Sequence, residues 1–254
     1  MRALDASRFQ KPAVATLFVS PSSAVYAGAP LGVGRHRSAV TCLAEATDRT
    51  LIASTARGES TGPCRVALVP AGVEHRFECS AQRVTFVYLA PTDALVASAS
   101  ARLSAASGSS SLRSSSSPAL SALAALDAPR STIDPRVSEA LSALDAGLCL
   151  DRGAPYFAAR AGLSTSRFLH VFRAHAQVAF RRYRLWARMR AAVTAISDGA
   201  DLTRAALDAG FATPSHFSAA FRAMFGVAPS SLSAVRVESC PSTVASIARA
   251  LEAA

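Results

Sequence analysis

One pattern occurs twice between Phe157 and Ser231, and it constrains the fold more than any other feature of the chain. The first copy reads Ala158-Ala159-Arg160-Ala161-Gly162-Leu163-Ser164, followed by Phe168-x-x-x-Phe172-Arg173. The second reads Ala205-Ala206-Leu207-Asp208-Ala209-Gly210-Phe211, followed by Phe217-x-x-x-Phe221-Arg222. A short apolar helix, a glycine-led turn and a second helix make a helix-turn-helix. Two such units stand in tandem, with Phe168 and Phe217 49 positions apart.

The second helix of each unit splits into two faces. Phe168, Val171 and Phe172 in the first unit, and Phe217, Phe221 and Phe225 in the second, recur at helical spacing and read as core. The opposite faces carry Ser166, Arg167 and His170 in the first unit, and Ser215, His216, Ala219 and Arg222 in the second. Small and hydrogen-bonding side chains on an exposed helix face suit base edges in a major groove. The expected base contacts are therefore Ser166, Arg167, His170, Ser215 and His216. Phe180 to Asp198 reads as one long helix between the units, with Tyr183, Trp186, Met189, Val193 and Ile196 inward. Its 19 residues span roughly 28 Å, close to the ~34 Å between successive major grooves on one face of B-DNA.

Charge supports a polyanionic partner. The chain has 27 basic and 17 acidic residues, and Arg152 to Ser197 holds nine arginines and no acid. A solvated helical surface mixes signs, whereas a one-signed run is the footprint of a nucleic acid partner. Arg173, Arg181, Arg184, Arg188 and Arg222 are the expected phosphate contacts, and other arginines are expected to tie down Asp198, Asp201 or Asp208. The five cysteines are widely spaced without a zinc pattern, which fits a reduced, cytoplasmic protein. No signal sequence is read at Met1-Arg2-Ala3-Leu4-Asp5, and no apolar run has transmembrane length.

The first 97 residues read as short strands between turn residues, the pattern of a β-barrel or sandwich. Val69-Pro70-Ala71-Gly72-Val73-Glu74-His75-Arg76-Phe77 resembles the P-x-G-x-x-H segment of cupin barrels. His36, His75 and Phe77 are the expected effector-pocket residues. Two histidines do not complete a metal site, so no metal and no cofactor are expected. Residues 98–132 read as a Ser-rich linker with a short helix over Leu120–Leu126, and residues 236–254 as a tail with a small helical pattern.

The repeat resembles the DNA-binding domain of AraC/XylS transcription regulators. The resemblance is carried by Ala158-x-x-Ala161-Gly162-Leu163-Ser164, Arg188-Met189-x-x-Ala192, and above all Pro214-Ser215-His216-Phe217-Ser218-x-x-Phe221-Arg222-x-x-Phe225-Gly226-Val227-x-Pro229. It implies an α+β two-domain protein: a cupin-like β-barrel for sensing or dimerisation over 1–97, then an all-α domain over 133–235 with two helix-turn-helix units joined by a long helix. It implies a transcription regulator rather than an enzyme, with duplex DNA as partner, and leaves open RNA polymerase, a small effector and homodimerisation. The alternative is a metal-dependent cupin enzyme fused to a DNA-binding domain. The chain departs from the family at Ala176-Gln177-Val178, where glycine is usual in the turn before the long helix, and at Ala219, where a long polar side chain is usual.

Overall fold

The computed structural model describes residues 14–90, 93–105, 111–117, 120 and 133–252. The N-terminal residues read for a signal sequence, and nearly all of the Leu120–Leu126 stretch, lie outside the described residues.

The strands of the N-terminal half are β1 (Thr16–Val19), β2 (Ser23–Gly28), β3 (His36–Arg37), β4 (Thr41–Ala46), β5 (Leu51–Thr55), β6 (Val66–Val69), β7 (Glu74–Cys79) and β8 (Val84–Leu89). Helix α1 (Ala94–Arg102) and strands β9 (Ser104–Ala105) and β10 (Arg113–Ser115) follow. A large sheet runs β11 (Arg236–Ser239), β1, β2, β8, β4, β6, β10, β9, and a small one runs β3-β7-β5. The expected barrel is therefore two sheets with a shared interior. They are joined at a corner where Leu51 and Cys64 exchange backbone hydrogen bonds of 2.8 and 3.0 Å.

Alternation along each strand builds two cores. Tyr26, Cys42, Ala44, Phe86 and Tyr88 face inward toward Phe77 of the small sheet. Val25, Leu43, Leu68, Val87 and Leu89 face outward against Leu95 and Ala99 of α1. Because both faces are covered, β2, β4 and β8 are buried at every position. That is why Val84–Leu89 reads as a mostly apolar run, broken only by Thr85, rather than an alternating one.

The helical half comprises α2 (Pro135–Asp145), α3 (Ala154–Arg160), α4 (Thr165–Ala176), α5 (Phe180–Ser197), α6 (Leu202–Asp208) and α7 (Pro214–Phe225). Local chemistry sets their starts. Asp134, Ser164, Asp201 and Thr213 each accept a hydrogen bond from a first-turn backbone N–H. The first unit has a core of its own, in which Phe157, Phe168, Phe172, Phe180 and Tyr183 meet Val137, Leu141 and Leu144 of α2. The second does not. Phe217, Phe221 and Met224 share one cluster with Trp186, Met189 and the inner face of the sheets.

One expectation about the chain's joints is corrected, and one question left open by the sequence is answered. The Ser-rich segment contributes β9 and β10, and β10 pairs with β6, so part of it is sheet rather than linker. A polar edge strand needs only its backbone to add to a ladder, so it leaves no apolar signal. The tail also returns to the N-terminal half. After a 3-10 turn over Pro229–Ala234, β11 (Arg236–Ser239) pairs in parallel with β1, and α8 (Thr243–Glu252) buries Ile247 and Ala250 on the outer face. The hydroxyl of Thr243 donates to Asp93, the N-cap of α1, at 2.8 Å.

Candidate nucleic-acid interface

The recognition surface is built by α4 and α7. Ser164 caps α4 by accepting from Arg167 N at 3.2 Å, and Thr213 caps α7 by accepting from His216 N at 3.0 Å. Gly162 and Gly210 lead the turns at φ of 64° and 84°. With Phe168, Phe172, Phe217 and Phe221 buried, the outward faces are fixed. Ser166, Arg167 and His170 are exposed on α4, and Ser215, His216, Ala219 and Arg222 on α7. The sequence-expected base contacts thus stand on two exposed helix faces, and His216 is held edge-on against Phe211 at 5.5 Å.

The arginines divide into two groups. Arg167, Arg173, Arg181 and Arg222 are exposed and have no ion pair among the described residues. Arg184 and Arg188 are half-buried and occupied: Arg188 Nε donates to Leu150 O at 2.9 Å, and Arg184 Nη1 to Arg152 O. Carbonyls in the irregular turn after α2 need donors, and these two side chains supply them. Arg190, from the same run, is a buried structural tie. Its Nη2 donates to Asp145 at 2.7 Å and its Nη1 to Ser20 O, in the turn between β1 and β2, at 3.1 Å. Burial pushes the Asp145 carboxyl up to about 6, against the pull of Arg190 and the Tyr183 hydroxyl. The partner differs from the acids expected for such ties, Asp198, Asp201 and Asp208. Asp208 pairs instead with Arg204, four residues away on α6.

The turn before α5 needs no glycine. Gln177 takes the left-handed conformation itself, at φ 56°, and its side-chain amide donates to Ala174 O at 2.8 Å.

The expected effector residues lie inside the sheets. His36 and His75 sit opposite each other on β3 and β7 with ring centroids 4.2 Å apart, and Phe77 lies 5.1 Å from His75. Each Nδ1 bonds its own loop, to Gly34 O and Val73 O, both at 2.9 Å. Burial, and then the neighbouring His36, drive the His75 pKa down to about 3. No third His, Cys, Asp or Glu joins them in a metal-binding group among the described residues.

These three residues do not line the apolar cavity that the structure does contain. That cavity encloses about 60 Å³ between the large sheet and the helical half, walled by Tyr26, Val33, Tyr88, Trp186, Arg190 and Phe225. The sequence pattern places Trp186 only as a core residue of α5. The signal available was a lone tryptophan one turn before an arginine on a helix with an apolar face. Aromatic contacts cross this boundary, with Tyr88 6.4 Å from Trp186 and edge-on to Phe225 at 5.2 Å. Gly226 stands between the wall residues Phe225 and Val227. At φ 73° it accepts from Gly34 N at 3.0 Å, and a Cβ there would lie 2.6 Å from Gly34 O.

Comparison with known proteins follows the same division. Residues 157–234 match the family model described as a helix-turn-helix domain. A search among curated protein sequences gave no match. Among solved structures, the apo form of a ToxT variant from Vibrio cholerae is similar over 85% of this chain and 95% of its own, at 12% identity and a TM-score of 0.50. The C-terminal domain of AraT, a response regulator from Geobacillus stearothermophilus, aligns over 40% of this chain and 85% of its own at 20% identity and a TM-score of 0.36. The ToxT likeness shows a shared fold, a sheet-rich half followed by a helical one. With the recognition helices, their caps and the matched segment in agreement, residues 157–234 form a helix-turn-helix domain, and the protein is a DNA-binding transcription regulator.

Proposed function

We propose that α4 and α7 enter adjacent major grooves of one DNA site, and that a small effector in the cavity beside α5 adjusts how they are presented. The observation that carries the DNA reading is the pair of exposed recognition faces flanked by unpaired Arg167, Arg173, Arg181 and Arg222. In this reading Ser166, Arg167, His170, Ser215 and His216 meet base edges, while Arg173, Arg181 and Arg222 meet phosphates. Arg184 and Arg188 then act chiefly by ordering the turn after α2. Effector coupling is supported by the position of the cavity, since its walls come from both halves of the chain. A ligand that binds one relative placement of the halves better shifts the population toward it. The reading requires no catalytic step. RNA polymerase and a second copy of the chain are its further partners, and the cytoplasm its place of action. Among the described residues no helix is long and apolar enough to cross a membrane.

Footprinting upstream of the protein's own gene, at several salt concentrations, tests this. Arg167→Ala is expected to weaken the cognate site by roughly tenfold or more and random DNA far less. Arg181→Ala should weaken both alike and lower the salt slope by about one. Equal losses on cognate and random DNA for both variants would remove Arg167 from base readout.

A further inference from the structure

Arg37 belongs to the sheet-rich half, yet it stands beside a recognition helix. Strand β3 packs against α7, and Gly34 N donates to Gly226 O, directly after that helix, at 3.0 Å. A cleft of about 570 Å³ opens there, walled by Arg37 and Ala39 from the sheet-rich half, Arg181 and Arg182 from α5, and Ala223 and Met224 from α7. Among the described residues no Asp or Glu lines it. Arg181 and Arg182 have no ion pair among the described residues. Arg37 has one, to Glu74 at 3.1 Å, but both side chains are exposed and such a pair adds little. Burial, and then the neighbouring Arg37, push the Arg182 pKa below the usual arginine range. The fold thus gathers cations from both halves around a space with no acid in its walls.

We propose that this cleft receives the DNA phosphate backbone that flanks α7, so that Arg37 carries the DNA interface beyond the helix-turn-helix domain onto the sheet-rich half. The inference rests on the DNA reading and adds a contact from outside the matched segment 157–234. An α-helix is about 10–12 Å across and the major groove about 12 Å wide. A helix lying in the groove therefore has a sugar-phosphate strand along each flank. The cleft occupies one flank of α7, where Ala223 is exposed one turn after Ala219 of the recognition face. Continuity favours the duplex over a free anion, since α5 and α7 both belong to the DNA-binding unit and Arg181 is already among its unpaired arginines. The guanidinium fork suits phosphate oxygens. Because Arg37 moves with the sheets, a shift between the halves changes a DNA contact directly.

The test uses the full chain and a random-sequence duplex, because phosphate contacts carry no sequence information. Fluorescence anisotropy gives the affinity from about 50 to 200 mM salt. Arg37→Ala is expected to lower the slope of log affinity against log salt by about one. Arg37→Lys should keep most of that slope. Glu74→Gln, which frees Arg37, should tighten binding severalfold. Arg49→Ala is the control. Arg49 is exposed just before β5, at the end of the small sheet opposite the Arg37–Glu74 pair, and its loss removes the same charge. That variant should leave the slope unchanged. An unchanged slope in Arg37→Ala, or equal losses in Arg37→Ala and Arg49→Ala, would overturn the contact. Arg181→Ala keeps the two claims apart. A lower slope there with none in Arg37→Ala leaves the DNA reading standing and confines the interface to the helical half. A wild type without salt-dependent binding removes both.

Discussion

Gln177 and His75 show how much single positions carry. Gln177 holds a left-handed backbone that a side chain makes costly, and its amide recovers part of that cost through Ala174 O. Gln177→Gly should raise stability by about 0.5–1 kcal/mol, read as a higher urea midpoint with an unchanged slope. His75 is fully buried and stays neutral until about pH 3, whereas an unfolded histidine takes its proton near 6.5. The unfolded state therefore binds the extra proton between those values. Stability from neutral His75 is complete above about pH 6.5 and is lost as pH falls toward 3. The loss should amount to roughly 3–5 kcal/mol across that window. Urea titrations from pH 7 to 4 should show a steep acid limb in the wild type and a flatter one in His75→Leu. Residue chemistry was only partly legible beforehand. The caps Ser164 and Thr213 stood in the sequence because capping is local, while the ties of Arg184, Arg188 and Arg190 depend on acceptors 32 to 170 positions away.

At the level of elements, legibility followed how local the cause is. The helices of both units announce themselves through phenylalanines four apart and a polar opposite face. Strand β11 does not, because Arg236-Val237-Glu238-Ser239 has one apolar residue and gains its partner from the other end of the chain. Strands β9 and β10 were hidden among serines for the same reason. The cavity beside α5 belongs to no element, so nothing in any one segment announces it. The tail is the element whose weight is most directly measurable. Ending the chain after Val235 removes β11 and uncovers the outer face near Phe18, Val25 and Ala27. The melting temperature should fall by roughly 10 °C, with stronger binding of a hydrophobic dye. An unchanged melting curve would mean the tail is not part of the folded unit.

Across the whole molecule, the boundary between cores falls in a different place from the boundary along the chain. The first unit closes its own core with α2, and the second borrows the inner face of the sheets. Residues 133–235 expressed alone should therefore split in behaviour. Amide exchange in α4 should remain protected, while α7 should exchange at least tenfold faster than in the full chain. Equal protection of both helices would show the second unit to be self-sufficient. The shared core also limits what can be borrowed from this protein. A chimera that grafts the helical half onto another sensor at residue 133 inherits one finished reading head and one that is missing a wall. A transplant that keeps both would have to carry the inward face of β2, β4 and β8 with it, so the natural unit of exchange here is nearly the entire chain.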